Sequence, residues 1–176
     1  MKVILPPNMG MPRVDSFTQD FGGTETLLKN IFTVLKTFIY KDCAHRHGCY
    51  VAIFTRSSRK MDVQFHGDYA LTENDKALKY LQCATEKVTR MARYHLENSF
   101  EQMDEANEKY GGGVGFNDEL FIACSGFPPE IDEAVSYIIG LSKIDGGEAL
   151  KAHAGQTGNA FVELIYTELK KLNESL

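Results

Sequence analysis

Apolar residues recur at helical spacing in two long segments of the chain. The first runs from Thr24 to His47, with Thr24 as an N-cap and Gly48 as a C′ glycine. The second runs from Thr72 to about Phe100, and its apolar positions step by three and four residues: Ala77, Leu81, Ala84, Val88, Met91 and His95. We predict a long amphipathic helix over each segment, and on this pattern His95 is a core or interface histidine, while Lys87 lies off the stripe.

Between and after these helices the apolar pattern changes to that of β-strands. Cys49 to Arg56 is a nearly continuous apolar run, and Lys60 to His66 alternates apolar and polar residues. The residues between the two runs favour a turn, so we predict an antiparallel hairpin. A second hairpin is predicted from Gly111 to Ser125, with Asn117-Asp118 as its turn. The polar face of Lys60 to His66 either meets water or lines a site.

Two more helices complete the predicted order. Pro129 suits the first position of a helix, and a last amphipathic segment runs from about Asn159 to Asn173. The order α-β-β-α-β-β-α, plus C-terminal helices, predicts an α+β fold in which long helices flank an antiparallel sheet, and we expect them on one face. We divide the chain into an N-terminal arm (1–23), an α/β domain (24–145) and a helical extension of that domain (146–176), with a short helical piece between Gly146 and Gly158.

Composition narrows the range of partners. The chain has 176 residues and a formal net charge of −5, without a basic stripe, which argues against nucleic acid as a partner. None of its four cysteines forms a C-x-x-C pair. The apolar start ends at Pro6, too short for a signal peptide, and we see no apolar run long enough to span a membrane. We therefore expect a cytoplasmic protein with free thiols.

Four places in the chain resemble the GlcG/HbpS-like family of small α/β proteins, over roughly residues 25–140. The first two are a helix–glycine–strand segment at Ala44–Ile53 and an A-x-x-K segment at Ala84–Lys87. The other two are a glycine run before the third strand at Gly111–Gly113, and an S-G exit at Cys124–Gly126 that is followed by D-E-A within Ile131–Ala134. The chain departs from the family pattern where Val114-Gly115 replaces the Gly-Gly-x-Pro form, and its helical C-terminus after about Lys143 is extra.

The resemblance implies a profilin-like antiparallel sheet flanked by helices and a symmetric homo-oligomer. Some members of this family bind haem, some are linked to haem degradation or to corrinoid-associated systems, and many have no established activity. On that basis we expect haem or another tetrapyrrole as a cofactor, with Lys87, Met91, Gly112 and Gly113 among the binding residues.

His66 is the preferred metal ligand because it ends the alternating strand on its polar face, and a neutral imidazole can ligate haem iron. Its alternative role is that of an exposed histidine at a hairpin end. Met91 can instead serve in packing, and the glycine run either lines a pocket or lets the chain pass closely into a strand. The acidic first turn after Pro129 favours helix capping. Ser125 lacks the G-x-S-x-G elbow of a nucleophile, so we assign no catalytic residue.

These observations favour a cytoplasmic, homo-oligomeric binding protein. Its ligand would occupy a cleft between the polar face of the sheet and a helix, with His66 as the axial ligand. One alternative is an enzyme on the same scaffold that degrades haem or acts on a small metabolite. The other is a scaffold that binds protein partners and holds no ligand.

Overall fold

A computed structural model describes residues 24–39, 48–67, 74–145 and 158–174. The helices are α1 (Thr24–Val34), continued by a π-helical turn at Leu35–Ile39, then α2 (Asn74–Tyr94), α3 (Pro129–Asp145) and α4 (Ala160–Glu174). The strands are β1 (Gly48–Thr55), β2 (Lys60–Gly67), β3 (Gly113–Phe116) and β4 (Leu120–Ser125). The predicted N-terminal arm, the predicted end of the first helix at 40–47 and the short helical piece at 146–157 lie outside the described residues.

The four strands form one antiparallel sheet in the order β2-β1-β4-β3. This confirms the predicted α+β class. The Asn117-Asp118 turn between β3 and β4 has positive φ angles of 52° and 55° at its two central residues, as a type I′ hairpin requires. Both hairpins therefore form where the alternation and the turn residues placed them. Gly48, predicted as the C′ glycine of the first helix, is instead the first residue of β1.

Helices cover both faces of the sheet, so the expectation that they lie on one face is wrong. Alternate residues of β1 and β4 enter two separate cores. Val51, Ile122 and Cys124 pack with α1, α3 and α4, whereas Ala52 and Ala123 pack against α2. The physical reason is that the two central strands are apolar on both faces, and each face must be removed from water.

The second long helix is shorter than predicted. It ends at Tyr94, because His95 adopts a left-handed conformation with φ 56°, and the Leu96 amide then donates a 3.0 Å hydrogen bond to the Met91 carbonyl. The side chain of His95 is 63% exposed and bonds Asp118, with 2.7 Å between Nδ1 and Oδ2. Of the two predicted roles of His95, the core position is therefore wrong, and the interface position stays a prediction. Within the described part of the chain, every helix is too short or too polar to cross a membrane.

Candidate functional site

The sequence-predicted ligand His66 lines an open groove between α1 and the edge strand β2. The groove has a volume of about 870 Å³. Helix α1 and the segment after it contribute two lysines, a carboxylate and an aromatic ring, and β2 contributes an amide and the imidazole: Lys29, Lys36, Glu25, Phe32, Gln64 and His66. The alternation of β2 explains this placement, since Gln64 and His66 lie opposite Val51 and Cys49, whose side chains belong to the core on the α1 side of the sheet.

The imidazole of His66 is nearly enclosed, with 8% of the residue exposed. Burial lowers the pKa of His66 from its ordinary value of 6.5; the nearby Glu25 carboxylate opposes this shift and the Lys29 ammonium adds to it. The ring is therefore mostly neutral near pH 7. A neutral imidazole offers a nitrogen lone pair, which is the form that ligates iron or another metal.

The other groove residues combine positive charge with an apolar ring. The Lys29 ammonium lies 3.2 Å from the Glu25 carboxylate, and both side chains are well exposed. The Lys36 ammonium lies over the ring of Phe32, 4.9 Å from its centroid. Exposed lysines of this kind exchange partners at little cost, so an anionic ligand group can displace these contacts.

A second cluster of polar residues is buried near the opposite edge of the sheet, around Lys87. The side chains of Lys87 and Asp132 are 1% and 4% exposed, and their charged atoms are 3.1 Å apart. Lys87 Nζ also donates to the Cys124 carbonyl at 2.7 Å, and the Phe127 amide donates to Asp132 Oδ1 at 3.0 Å. Burial raises the pKa of Asp132, and the Lys87 ammonium offsets part of that rise. Lys87 was expected to lie off the apolar stripe of its helix, and that expectation is wrong.

The glycine run allows α2 and α3 to approach each other around this pair. Gly112 has φ +105°, and a Cβ added there would overlap the Cβ of Asp132 and lie 3.0 Å from Lys87 Nζ. A Cβ on Gly113 would lie 2.7 Å from the terminal methyl of Met91. The structure thus brings Lys87, Met91, Gly112 and Gly113 together, but side chains already fill the space beside the glycines. Close passage of the chain into a strand is the role that this geometry supports.

His66 does not form one site with the other four predicted binding residues: Lys87, Met91, Gly112 and Gly113. Gly112 and Gly113 lie at the β3 edge of the sheet, while His66 lies on β2 at the other edge, with β1 and β4 between them. Ser125 pairs with Tyr50 in the sheet, and His66 pairs with Cys49, so the two side chains project from opposite faces. This arrangement gives no support to a catalytic role in which Ser125 is the nucleophile and His66 is its base. Among the described residues there is also no cluster of three or more His, Cys, Asp or Glu side chains suited to a metal ion.

Sequence reasoning missed the role of Ser136 in the buried cluster. Its hydroxyl accepts a hydrogen bond from the Cys124 amide at 2.8 Å and lies 2.9 Å from the Gly112 carbonyl and 2.7 Å from the Asp132 carbonyl. It therefore ties β4, the glycine run and α3 together. Its spacing of four residues from Asp132, on the same face of a helix, was the available signal.

The fold and the groove define an α+β protein with helices on both faces of a four-stranded antiparallel sheet and an open helix–strand groove at one edge. Comparisons with protein-family models, with curated proteins and with solved structures find no match for this chain. The resemblance to the GlcG/HbpS-like family therefore rests on its four sequence segments.

Proposed function

We propose that this chain is a homo-oligomeric binding protein of the GlcG/HbpS-like type, and that it holds haem or another tetrapyrrole in the groove between α1 and β2. The observation that carries the proposal is the enclosed imidazole of His66, whose pKa is lowered by burial, on the wall of a groove that also presents Lys29, Lys36 and Phe32. The profilin-like relationship and the oligomer come from the family resemblance.

The residues of the groove fit the chemistry of a porphyrin. Pockets that hold small molecules commonly measure about 300–1,000 Å³, and the volume here, about 870 Å³, lies within that range. A porphyrin has broad apolar faces, a central metal that takes a nitrogen ligand, and carboxylates at its rim. Phe32 supplies an apolar wall, His66 the nitrogen, and Lys29 and Lys36 the cations for carboxylates. Bound haem would supply an iron centre with redox and ligand-binding chemistry.

Not every aromatic residue at the groove contributes its ring. Phe65 belongs to the lining, but its ring packs on Tyr50 across the sheet face that α2 covers, with centroids 5.1 Å apart. The apolar wall is therefore mainly that of Phe32. We expect affinity to depend on the imidazole and the two lysines more than on aromatic stacking.

Titration with haem, followed by the Soret absorption, tests this proposal. Wild-type protein should give a saturable shift, His66→Ala should lose it, and Lys29→Ala/Lys36→Ala should keep the spectrum but weaken binding. His95→Ala is the matched control, because it removes an imidazole that is exposed and lies outside the groove. A shift that is unchanged in His66→Ala contradicts the assignment of the ligand.

The same preparation separates the alternative functions. A specific shift followed by release of iron or a ring-opened product, once a reductant is added, would favour an enzyme on this scaffold. Complete absence of a saturable shift would favour a scaffold without a ligand. The three free and buried cysteines among the described residues, Cys49, Cys83 and Cys124, support a cytoplasmic location, because a reducing compartment preserves thiols.

A further inference from the structure

A further polar cluster lies on the surface where the end of α2 meets the turn between β3 and β4. It consists of Arg56, His95 and Asp118, whose side chains are 34%, 63% and 46% exposed. None of these three residues lines the groove between α1 and β2. The cluster therefore offers chemistry that the proposed ligand site does not use.

The carboxylate of Asp118 bridges the other two side chains. Its Oδ1 accepts a 2.6 Å hydrogen bond from Arg56 Nη2, and its Oδ2 lies 2.7 Å from His95 Nδ1. Slight burial acts to raise the pKa of Asp118, but the hydrogen bonds from His95 and Arg56 outweigh it and lower this pKa. An ionised carboxylate only accepts hydrogen bonds, so His95 Nδ1 carries the proton and donates it. In the neutral ring the lone pair is then on Nε2.

The backbone fixes both partners of this hydrogen bond. His95 follows α2 in the left-handed conformation, with φ 56°, and Asp118 has φ 55° in the type I′ turn. The Glu119 amide closes that turn with a 3.0 Å hydrogen bond to the Phe116 carbonyl. The imidazole and the carboxylate thus start from defined backbone positions, and their geometry is preorganised.

The imidazole is not needed to hold the hairpin against α2. Arg56 already makes that connection, since its Nη2 donates to the Ala92 carbonyl at 2.6 Å and its Nε to the Asp118 carbonyl at 2.8 Å. The guanidinium also lies over the ring of Phe121, 5.2 Å from its centroid. His95 adds one hydrogen bond at an exposed position, where such a contact contributes little to stability. The structural connection thus leaves the exposed edge of the imidazole available for chemistry.

An imidazole whose Nδ1 is held by a carboxylate is a nucleophile at Nε2. Attack through the Nε2 lone pair leaves a positive charge on the ring, and the Asp118 carboxylate, 2.7 Å from Nδ1, stabilises that charge. A metal ion fits less well, because no group of three His, Cys, Asp or Glu side chains suited to a metal occurs in the described part of the chain. The geometry therefore favours transfer of a chemical group to His95.

We propose that His95 is a phosphoryl-acceptor site, modified at Nε2 by donors that carry a P–N bond. In the transfer the Nε2 lone pair forms a bond to phosphorus, and the P–N bond of the donor breaks. The donor nitrogen, protonated beforehand, leaves as a neutral amine with the electron pair of that bond. The ring of His95 keeps its proton on Nδ1 and its hydrogen bond to Asp118, and nothing is oxidised or reduced.

Arg56 favours a phosphoryl group over an acyl group. Its Nη2 lies 3.5 Å from His95 Nδ1, while its Nη1 has no hydrogen-bond partner among the described residues. A phosphoryl group adds about two negative charges and three acceptor oxygens, which a guanidinium matches in charge and geometry. A neutral acyl group would make no use of this cation.

Phosphoramidate, a small donor with a P–N bond, tests the site on the folded, full-length protein. Peptide mass spectrometry locates the phosphohistidine, and phosphorus NMR in alkaline solution identifies the ring nitrogen that carries the group. His95 should be labelled before the other histidines, at Nε2, and about tenfold faster than in the same chain unfolded in urea, because unfolding removes the contact with Asp118. Equal rates in the folded and unfolded chain, a product at Nδ1, or faster labelling of another histidine overturns the proposal.

Asp118→Asn isolates the contribution of the carboxylate as the positioning group. Asparagine is favoured in type I′ turns, so the hairpin should be preserved, but its amide does not stabilise a charged ring. Labelling of His95 should become about tenfold slower. Asp104→Asn is the matched control, because it removes a carboxylate that bonds Asn107 rather than His95, and it should leave the rate unchanged. Labelling of Asp118→Asn at the wild-type rate contradicts the proposal.

His95→Gln tests whether the rapid labelling belongs to this residue. The fast phase of labelling should disappear in His95→Gln, while slower labelling of other histidines remains. A fast phase that persists would place the acceptor elsewhere and overturn the proposal. These experiments involve neither haem nor the groove, so their outcome is independent of the haem titration.

Discussion

Replacing Lys87 with methionine should strongly destabilise the protein. The substitution preserves most of the volume of the side chain, so the expected loss comes from charge rather than from a cavity. It leaves the Asp132 carboxylate, 4% exposed, without the ammonium that now lies 3.1 Å away, and it removes the 2.7 Å bond to the Cys124 carbonyl. Breaking a buried ion pair from one side costs about 3–5 kcal/mol. Since domains are commonly stable by about 5–15 kcal/mol, Lys87→Met should remove a large share of the free energy of unfolding.

Urea unfolding followed by circular dichroism measures this loss, since the chain contains no tryptophan. Lys79→Met is the matched control on the same helix: its ammonium lies 3.0 Å from Glu108, but these side chains are 50% and 70% exposed. It should have little effect on the unfolding midpoint. Lys87→Met/Asp132→Leu should recover most of the loss, because an apolar pair leaves no unpaired charge.

The pH dependence of Lys87→Met gives a second and independent measure. Burial raises the pKa of Asp132, and removing Lys87 removes an interaction that lowers it, so in the variant this pKa rises further. The folded variant then binds a proton more readily than the unfolded chain does, and its stability increases as the pH falls. The difference from wild type should therefore shrink between pH 7 and about pH 5. A loss no larger than that of Lys79→Met, or a double variant as unstable as the single one, would refute the reasoning.

Two further substitutions test the glycine run and His66. Gly112→Ala should lower the free energy of unfolding by about 2–4 kcal/mol, because its Cβ would overlap that of Asp132 at φ +105°. Gly158→Ala, at φ +71° with nothing within 4 Å, should lower it by only about 1 kcal/mol. Equal losses in urea unfolding would contradict the packing role of Gly112. Burial lowers the pKa of His66, so the unfolded chain binds the proton more readily, and the thermal midpoint of wild type should fall as the pH drops below about 6.5. His66→Gln should flatten this dependence in thermal melts, and an unaltered slope would show that other groups cause it.

Local patterns predicted most of the secondary structure. The alternation from Lys60 to His66 and the Asn117-Asp118 turn depend on neighbouring residues, and both hairpins formed where they were expected. Pro129 begins α3, and Asn159 caps α4 by accepting a 3.0 Å hydrogen bond from the Phe161 amide. Features that a few adjacent residues determine were therefore readable in the sequence.

The missed features depend on residues far apart in the chain. Apolar periodicity gives no weight to a lysine, and the partner of Lys87 is Asp132, 45 residues later. Lys87 lies three residues after Ala84 and four before Met91, a spacing that fits the buried face, but we predicted it off the stripe because only a partner makes the burial of a lysine tolerable. The early end of α2 depends on the left-handed conformation of His95, whose side chain bonds Asp118 in the turn of the β3–β4 hairpin.

The apolar face of β2 shows a related limit. Its alternation predicted that the polar face meets water or lines a site, and Gln64 and His66 do line the groove. The apolar face is the more accessible of the two at these positions, because Met61, Val63 and Phe65 are 38–40% exposed while His66 is 8% exposed. Periodicity assigns residues to faces, but which face is covered depends on where the helices lie.

Three of the four segments that carry the family resemblance meet at the buried ion pair rather than at the groove. The A-x-x-K segment ends in Lys87, the glycine run contains Gly112, and the S-G exit and the D-E-A segment begin beside Cys124 and contain Asp132. Lys87 and Asp132 bond each other, Lys87 bonds the Cys124 carbonyl, and Gly112 leaves the space that the pair occupies. The residue types of these segments thus have one structural reason. Helices α2 and α3 lie on opposite faces of the sheet, and they contact each other around its edge through Lys87 and Asp132.

Because these segments meet away from the groove, the evidence for the fold is independent of the evidence for the ligand. None of the groove residues contributed by α1 and β2 belongs to those segments, and His66 lies at the other edge of the sheet. A protein with the same buried pair can therefore share this fold and differ in its groove. Evidence for the fold, such as the expected instability of Lys87→Met, therefore does not replace the haem titration as evidence for the ligand. A titration without a Soret shift would likewise leave the structural role of Lys87 and Asp132 unchanged.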